Sequence, residues 1–229
     1  MKKNKEKWMQ IIFLLSACTS ILAVFLICYF LFANGVPAIG KIGIGNFLLG
    51  KVWKPNNNLF GIFPMILGSI YVTAGAIVIG VPIGIMTAMY LALFCSKEIY
   101  KIIKPAIELL AGIPSVVYGF FGMVVIVPFI RENFGGNGSS MLSASLLLGI
   151  MILPTIINVS ESAIRAVPEN YYEAGRALGA THERSAFNIV LPAAKSGVLA
   201  GIILGIGRAI GETMAVIMVA GNQARMPKG

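Results

Sequence analysis

The sequence predicts an all-α fold, a polytopic bundle of membrane-spanning helices. Three observations predict it. Of the 229 residues, 57% are hydrophobic and 12% charged, whereas a water-soluble domain carries about 25% charged residues. The apolar residues form long runs, each near the ~20 residues that a helix needs to cross a bilayer. Those runs are continuous, whereas a spanning β-barrel would be written in alternating segments of about ten residues. The formal net charge of +9 would suit a nucleic-acid partner only if the cations gathered on one polar face. They are scattered over short segments between apolar runs, so no nucleic acid is expected. Cys18, Cys28 and Cys95 lie in or beside apolar runs with neither disulfide nor metal spacing. Buried thiols are expected, with no metal and no cofactor.

Five spans are expected. The first covers residues 9–33 and holds no charge. Its lysine-rich start and the box Leu15-Ser16-Ala17-Cys18 resemble a lipoprotein leader. The apolar run continues to Phe32, however, beyond the 7–15 residues of a leader's apolar region, so the span is expected to be retained. Residues 34–60, with five glycines, read as a loop, and residues 1–60 as an N-terminal unit preceding a transmembrane domain at 61–229. The second span is placed at 62–94 and the third at 102–130, with Glu108 near its start, where a carboxylate suits a helix N-terminus. Pro82 and Pro114 fall inside these spans and are expected to kink them. The fourth span is placed at 141–160 and the fifth at 197–221. Basic residues set the orientation. With the N-terminus in the cytoplasm, the inner segments hold eleven Lys and Arg, including Lys97, Lys101, Lys104, Arg165, Arg176 and Arg184, and the outer segments six, Lys228 included.

The loop between spans four and five, about 165–193, is written as a helical hairpin. Val167-Pro168-Glu169-Asn170 reads as a helix start, with proline at the first helical position and an acid in the first turn. Gly179 fits a helix stop, Thr181 a cap for a second short helix, and Pro192 a limit before span five. His182, the one histidine, reads as a solvated or docking-surface residue, and Arg176 and Arg184 as interfacial cations.

Arg208 falls near the middle of span five. A charge there costs roughly 2.5–3.5 kcal/mol on insertion scales and marks a functional site by default. Glu212 is four residues on, so a continuous helix would put it on the same face as a neutralising partner. A structural salt bridge between helices is the plainer alternative. Guanidinium matches the oxygens of phosphate in a bidentate fork and keeps its charge, so Arg208 points to an anion, with Glu212 moderating its grip. Glycines 197, 201, 205, 207 and 211 leave surfaces on which neighbouring helices can approach closely.

These residues carry a family resemblance. Glu173-Ala174-Gly175, three residues, Gly179, nine residues, then Ile189, Leu191 and Pro192 resemble the EAA signature of ABC importer permeases, with Gly175 where the pattern has a second alanine. Leu110-Ala111-Gly112-Ile113-Pro114-Ser115 and Gly207-Arg208-Ala209-Ile210-Gly211-Glu212 resemble the phosphate-specific (Pst) permeases, and Thr213-Met214-Ala215-Val216 their C-type subunit, PstC. The likeness covers roughly residues 60–222. It implies a MetI-like permease with an extra N-terminal span, in the bacterial cytoplasmic membrane. It further implies a coupling hairpin whose Glu173, Ala174, Gly175, Gly179, Ile189, Leu191 and Pro192 meet an ATPase, and a phosphate pathway using Arg208 and Glu212. The implied partners are a PstA-type permease, two PstB-type ATP-hydrolysing subunits and an extracytoplasmic PstS-type phosphate-binding protein. The family has six spans, so a sixth is expected beyond the five seen. The chain itself carries no glycine-rich loop ending in Gly-Lys-Ser or Gly-Lys-Thr and is not expected to be an enzyme. The rival readings are a permease for another oxyanion (sulfate, molybdate or phosphonate) and an ion-coupled secondary transporter, which gives no reason for the EAA spacing.

Overall fold

A computed structural model describes residues 2–226. Lys228, counted above among the basic residues, lies outside the described residues. The chain divides into two compact units, Met1–Pro64 and Met65–Gly229.

The first unit is dominated by helix α1 (Lys2–Ile42). Every side chain from Glu6 to Asn34 is exposed, as an apolar helix requires if lipid is to be its solvent. The loop expected from residue 34 starts later. Asn34 does not break the helix, because its side-chain amide donates to the Phe30 carbonyl one turn back at 2.8 Å. Gly43, with φ +86°, ends it. A short helix α2 (Ile44–Leu49) and the antiparallel strands β1 (Trp53–Lys54) and β2 (Leu59–Phe60) follow. Trp53 pairs with Phe60 across the strands, with the two rings edge to face at 5.9 Å.

The second unit is built around helix α7 (Met141–Arg165). Leu147, Leu148, Met151, Ile152 and Ile156 of α7 are all buried, so the middle of this helix lies inside the bundle. Helix α3 (Phe63–Met89) meets it where glycine permits. A methyl group at Gly80 would lie 2.8 Å from Ile152 Cδ1, and one at Gly84 2.8 Å from Ile156 Cγ2. Helix α11 (Lys195–Gly211) uses the same device. Gly201 faces Ser160 and Val159, and Gly205 faces Ile156. Small residues at every fourth position are the means by which membrane helices gain van der Waals contact.

Two expected spans are not continuous helices. Span three divides into α4 (Lys97–Gly112), α5 (Ser115–Phe121) and α6 (Val127–Phe134). Pro114 lacks an N–H and disfavours helical geometry in the residue before it. Ile113 is accordingly extended, at φ −69°, ψ 127°. Ser115–Phe134 is the part long and apolar enough to cross a membrane, with α4 a separate helix, and Glu108 lies near the end of α4 instead of at a helix start. Span five divides at Glu212, extended at φ −79°, ψ 126°, into α11 and α12 (Met214–Ala220). Among the described residues, four helices pass as spans by length and composition: Glu6–Ile42, Phe63–Phe94, Ser115–Phe134 and Met141–Arg165. A fifth is counted if Lys195–Gly211 is joined to the segment before it across a 73° bend.

Candidate functional site

The hairpin that follows α7 is formed by α8 (Glu169–Ala177), α9 (His182–Ser185) and α10 (Leu191–Ala193). Pro168 caps α8 instead of occupying its first turn. At the other end Gly179 takes φ +85°. The Gly179 N–H then donates to the Arg176 carbonyl at 3.0 Å and the Ala180 N–H to the Gly175 carbonyl at 3.1 Å. This crossed pair is the Schellman closure that a left-handed residue makes possible. Thr181 accepts the Arg184 N–H at 3.3 Å and starts α9. A hydrogen bond from its own backbone N–H, and then one with Thr181, hold the Glu183 carboxyl below the usual carboxylate range.

The hairpin motif separates into inward and outward members. Gly175 is buried, with Ser185 and Ile189 pressed against its α-carbon, so a glycine stands where two segments cross. Leu191 packs with a buried group that includes Ala88, Met89 and Ile164. Glu173, Ala174 and Pro192 are exposed, and Leu178 at the tip is 90% exposed. His182, expected as a solvated or docking-surface residue, is half-buried. Its ring lies 4.3 Å from that of Phe94 and edge-on to Tyr172, whose hydroxyl is hydrogen-bonded to Nδ1. An imidazole is held between two aromatic rings because Thr181 and Gly179 turn α9 back under α8.

The expected Arg208–Glu212 pair does not form. A pair four apart needs a continuous helix, and the helix ends after Gly211. Arg208 Nη1 instead donates to Thr155 Oγ1 of α7 at 3.3 Å. Glu212 Oε1 accepts the Ala215 N–H at 3.1 Å and so satisfies one of the donors that a helix start leaves open. Glu212 thus serves the backbone at the break and Arg208 a neutral hydroxyl of α7. Beside the other break, the Tyr118 hydroxyl donates to the Leu110 carbonyl at 2.8 Å, tying α5 to the end of α4.

Sequence reasoning missed a buried charge cluster near the end of α7. Glu161, 1% exposed, accepts from Tyr100 Oη, Lys104 Nζ and Arg165 Nε, each at 2.8 Å. Lys104 also donates to Asn158 Oδ1 at 2.8 Å. Arg165 reaches the Leu91 carbonyl with Nη2 at 2.6 Å and lies over the Tyr100 ring. Its hydrogen bond to Glu161 raises the Tyr100 phenol above its ordinary value. In the sequence Lys104 and Arg165 count only among the basic residues that set orientation, and Glu161 lies just past the fourth expected span. The spacing Glu161–Arg165, four apart on one helix, was the signal available. Among the described residues no three His, Cys, Asp or Glu side chains gather closely enough to hold a metal ion.

A bundle of apolar helices long enough to cross a membrane, with two expected spans interrupted and a closed hairpin after α7, defines a polytopic membrane protein. Solved structures with this fold include an amino acid ABC transporter with histidines (23% identity, 70% of this chain and 71% of that one, TM-score 0.50) and the inward-facing MetNI methionine ABC transporter (22%, 66% and 68%, TM-score 0.51). Residues 80–228 match the binding-protein-dependent transport system inner membrane component family, and the chain belongs to that family. Similar curated proteins include the probable ABC transporter permease protein YqgH of Bacillus subtilis (39% identical, covering 85% of this chain and 62% of that protein). The phosphate transport system permease protein PstC of Mesorhizobium japonicum is 34% identical (86% and 66%), and the probable PstC of Methanocaldococcus jannaschii 33% (86% and 69%). The chain spans a little under two thirds of the length of the first two.

Proposed function

We propose that this chain is the PstC-type permease subunit of an ATP-driven importer of inorganic phosphate. The observation that carries the substrate is Arg208. Among the described residues no carboxylate lies within ion-pair distance of it, so its charge, in a helix otherwise apolar from Gly197 to Gly211, is free to meet an oxyanion. The relatives named as phosphate permeases support the same substrate. An ion-coupled transporter built on an Arg208–Glu212 pair loses its central element, because that pair is not made.

In this reading residues 61–229 form the permease domain, with residues 1–60 an added anchor. The N-terminus lies in the cytoplasm, as the basic residues favour, which puts the hairpin on the same side. Glu173, Ala174 and the tip at Leu178 face a PstB-type ATPase, while Gly175, Gly179, Ile189 and Leu191 keep the hairpin stiff enough to transmit its movement. A PstA-type permease completes the pathway and a PstS-type protein delivers phosphate. ATP binding shifts the hairpin, the spans tilt, and Arg208 is presented alternately to the two sides.

The test is ATP hydrolysis and uptake by the complete complex in proteoliposomes, with binding protein loaded with phosphate or with sulfate. Stimulation by phosphate alone, with uptake lost in R208A, supports the reading. Stimulation by sulfate reassigns the oxyanion. Normal transport by R208A removes Arg208 from the pathway.

A further inference from the structure

We infer that Glu161 is a positioning residue that makes the hairpin and helix α4 move as one body, so that a displacement of the hairpin reaches the broken third span. The inference rests on the coupling role proposed above for the hairpin.

The cluster lies where such a link is needed. Helix α7 ends at Arg165 and the hairpin's first helix begins four residues later at Glu169. The Glu161 carboxylate is shared by Arg165 on that last turn and by Tyr100 and Lys104 on α4. Arg165 has a second grip, on the carbonyl of Leu91. Leu91 belongs to the π-helical turn Tyr90–Phe94 that closes α3, a turn type often placed at functional sites. Phe94 of that turn also carries the ring of His182 from the hairpin. The hairpin end thus holds the connection between α3 and α4 at two points, and Glu161 fastens α4 to the same base. Helix α4 leads directly to the Ile113–Pro114 break.

A buried ion pair is weak evidence for stability, since apolar side chains of equal volume often do as well. Its geometry is what apolar contacts lack. Hydrogen bonds of fixed direction join α4 to the last turn of α7 at one carboxylate, and Arg165 extends the link to Leu91, so the segments shift together or the carboxylate loses partners, and an unpaired buried charge is expensive. Glu161 touches neither Arg208 nor the exposed tip of the hairpin. It acts through Arg165 and Lys104.

Two variants of the complete complex test this. E161Q keeps the shape and an acceptor oxygen but not the charge. R165K keeps the positive charge beside Glu161 but replaces the rigid fork, whose Nε meets Glu161 while Nη2 meets the Leu91 carbonyl, by one nitrogen on a flexible stem. Spin labels at Leu178→Cys and Lys97→Cys, with Cys18, Cys28 and Cys95 replaced, report hairpin and α4 with and without ATP. In the parent both labels shift. In E161Q and R165K the hairpin label still shifts and the α4 label does not, and phosphate taken up per ATP hydrolysed falls about twofold to thirtyfold, the range of coupling changes seen for residues that join distant sites. If both labels shift as in the parent, and the variants lose only thermal stability, the inference is overturned and the cluster is structural. If ATP moves neither label in the parent, the coupling reading falls and this inference with it. If both labels respond as described but phosphate is not transported, the substrate assignment alone is wrong.

Discussion

Replacing Gly179 by alanine isolates the cost of one backbone angle. Gly179 holds φ +85°, and a methyl group added there meets nothing within 4 Å. Steric conflict with neighbours contributes nothing, and the penalty is that of a non-glycine residue in the left-handed region, about 1–2 kcal/mol. It falls on the two bonds that close α8, from Gly179 N–H to Arg176 and from Ala180 N–H to Gly175. The hairpin is a local element, so the cost raises its opening equilibrium, by about fivefold to thirtyfold for 1–2 kcal/mol. Hydrogen exchange of peptides covering residues 173–185, in nanodiscs, reads this as faster exchange of the Ala180 amide, with the α7 amides unchanged. G179N restores most of the protection, because asparagine visits this region far more readily than alanine. Exchange at Ala180 in G179A as slow as in the parent would refute the argument, since the helix would then be closed without a left-handed residue.

Further outcomes follow from the same geometry. E212Q keeps an oxygen that accepts the Ala215 N–H and should transport like the parent, whereas E212A removes the cap, costs about 0.5–2 kcal/mol of local helix stability and lowers uptake. Uptake lost in E212Q would restore a charge role for Glu212. T155V deprives Arg208 of its hydroxyl partner and should raise the KM for phosphate uptake about twofold to tenfold, as for one hydrogen bond, with assembly unchanged on size exclusion. G205A puts a methyl 2.8 Å from Ile156 Cγ1, while G207A meets nothing within 4 Å. The first should destabilise the purified chain by about 1–3 kcal/mol of overpacking and so lower its melting temperature, and the second leave it unchanged or raise it.

The hairpin was legible in the sequence because its signals are local. A proline, an acid, a glycine and a threonine at fixed offsets specify ends and turn, and Glu169–Ala177, φ +85° at Gly179 and the Thr181 cap follow from them. Spans were legible as apolar content but not as continuous helices. Pro114 announced a disturbance, yet whether a proline bends a helix or ends it depends on what pairs the freed backbone groups, here Tyr118 through its bond to Leu110. At Glu212 there was no proline to read, and the i, i+4 argument assumed a helix that stops one residue earlier. The surroundings of His182 and Glu161 were not legible for one reason. Their partners, Phe94 for one and Tyr100 and Lys104 for the other, are 57 to 88 residues away in sequence, and no local spacing reports such contacts.

The interruptions at Ile113–Pro114 and Glu212–Thr213 bear on solvent. Where a helix stops, peptide N–H and C=O groups lose their intrahelical partners, and hydrocarbon offers none in return. A chain that spans a bilayer keeps such breaks only against other protein or against water. At both breaks protein supplies part of what is lost, the Tyr118 hydroxyl at the Leu110 carbonyl and the Glu212 carboxylate at the Ala215 N–H, so each interruption is closed by a polar side chain that hydrocarbon could not replace.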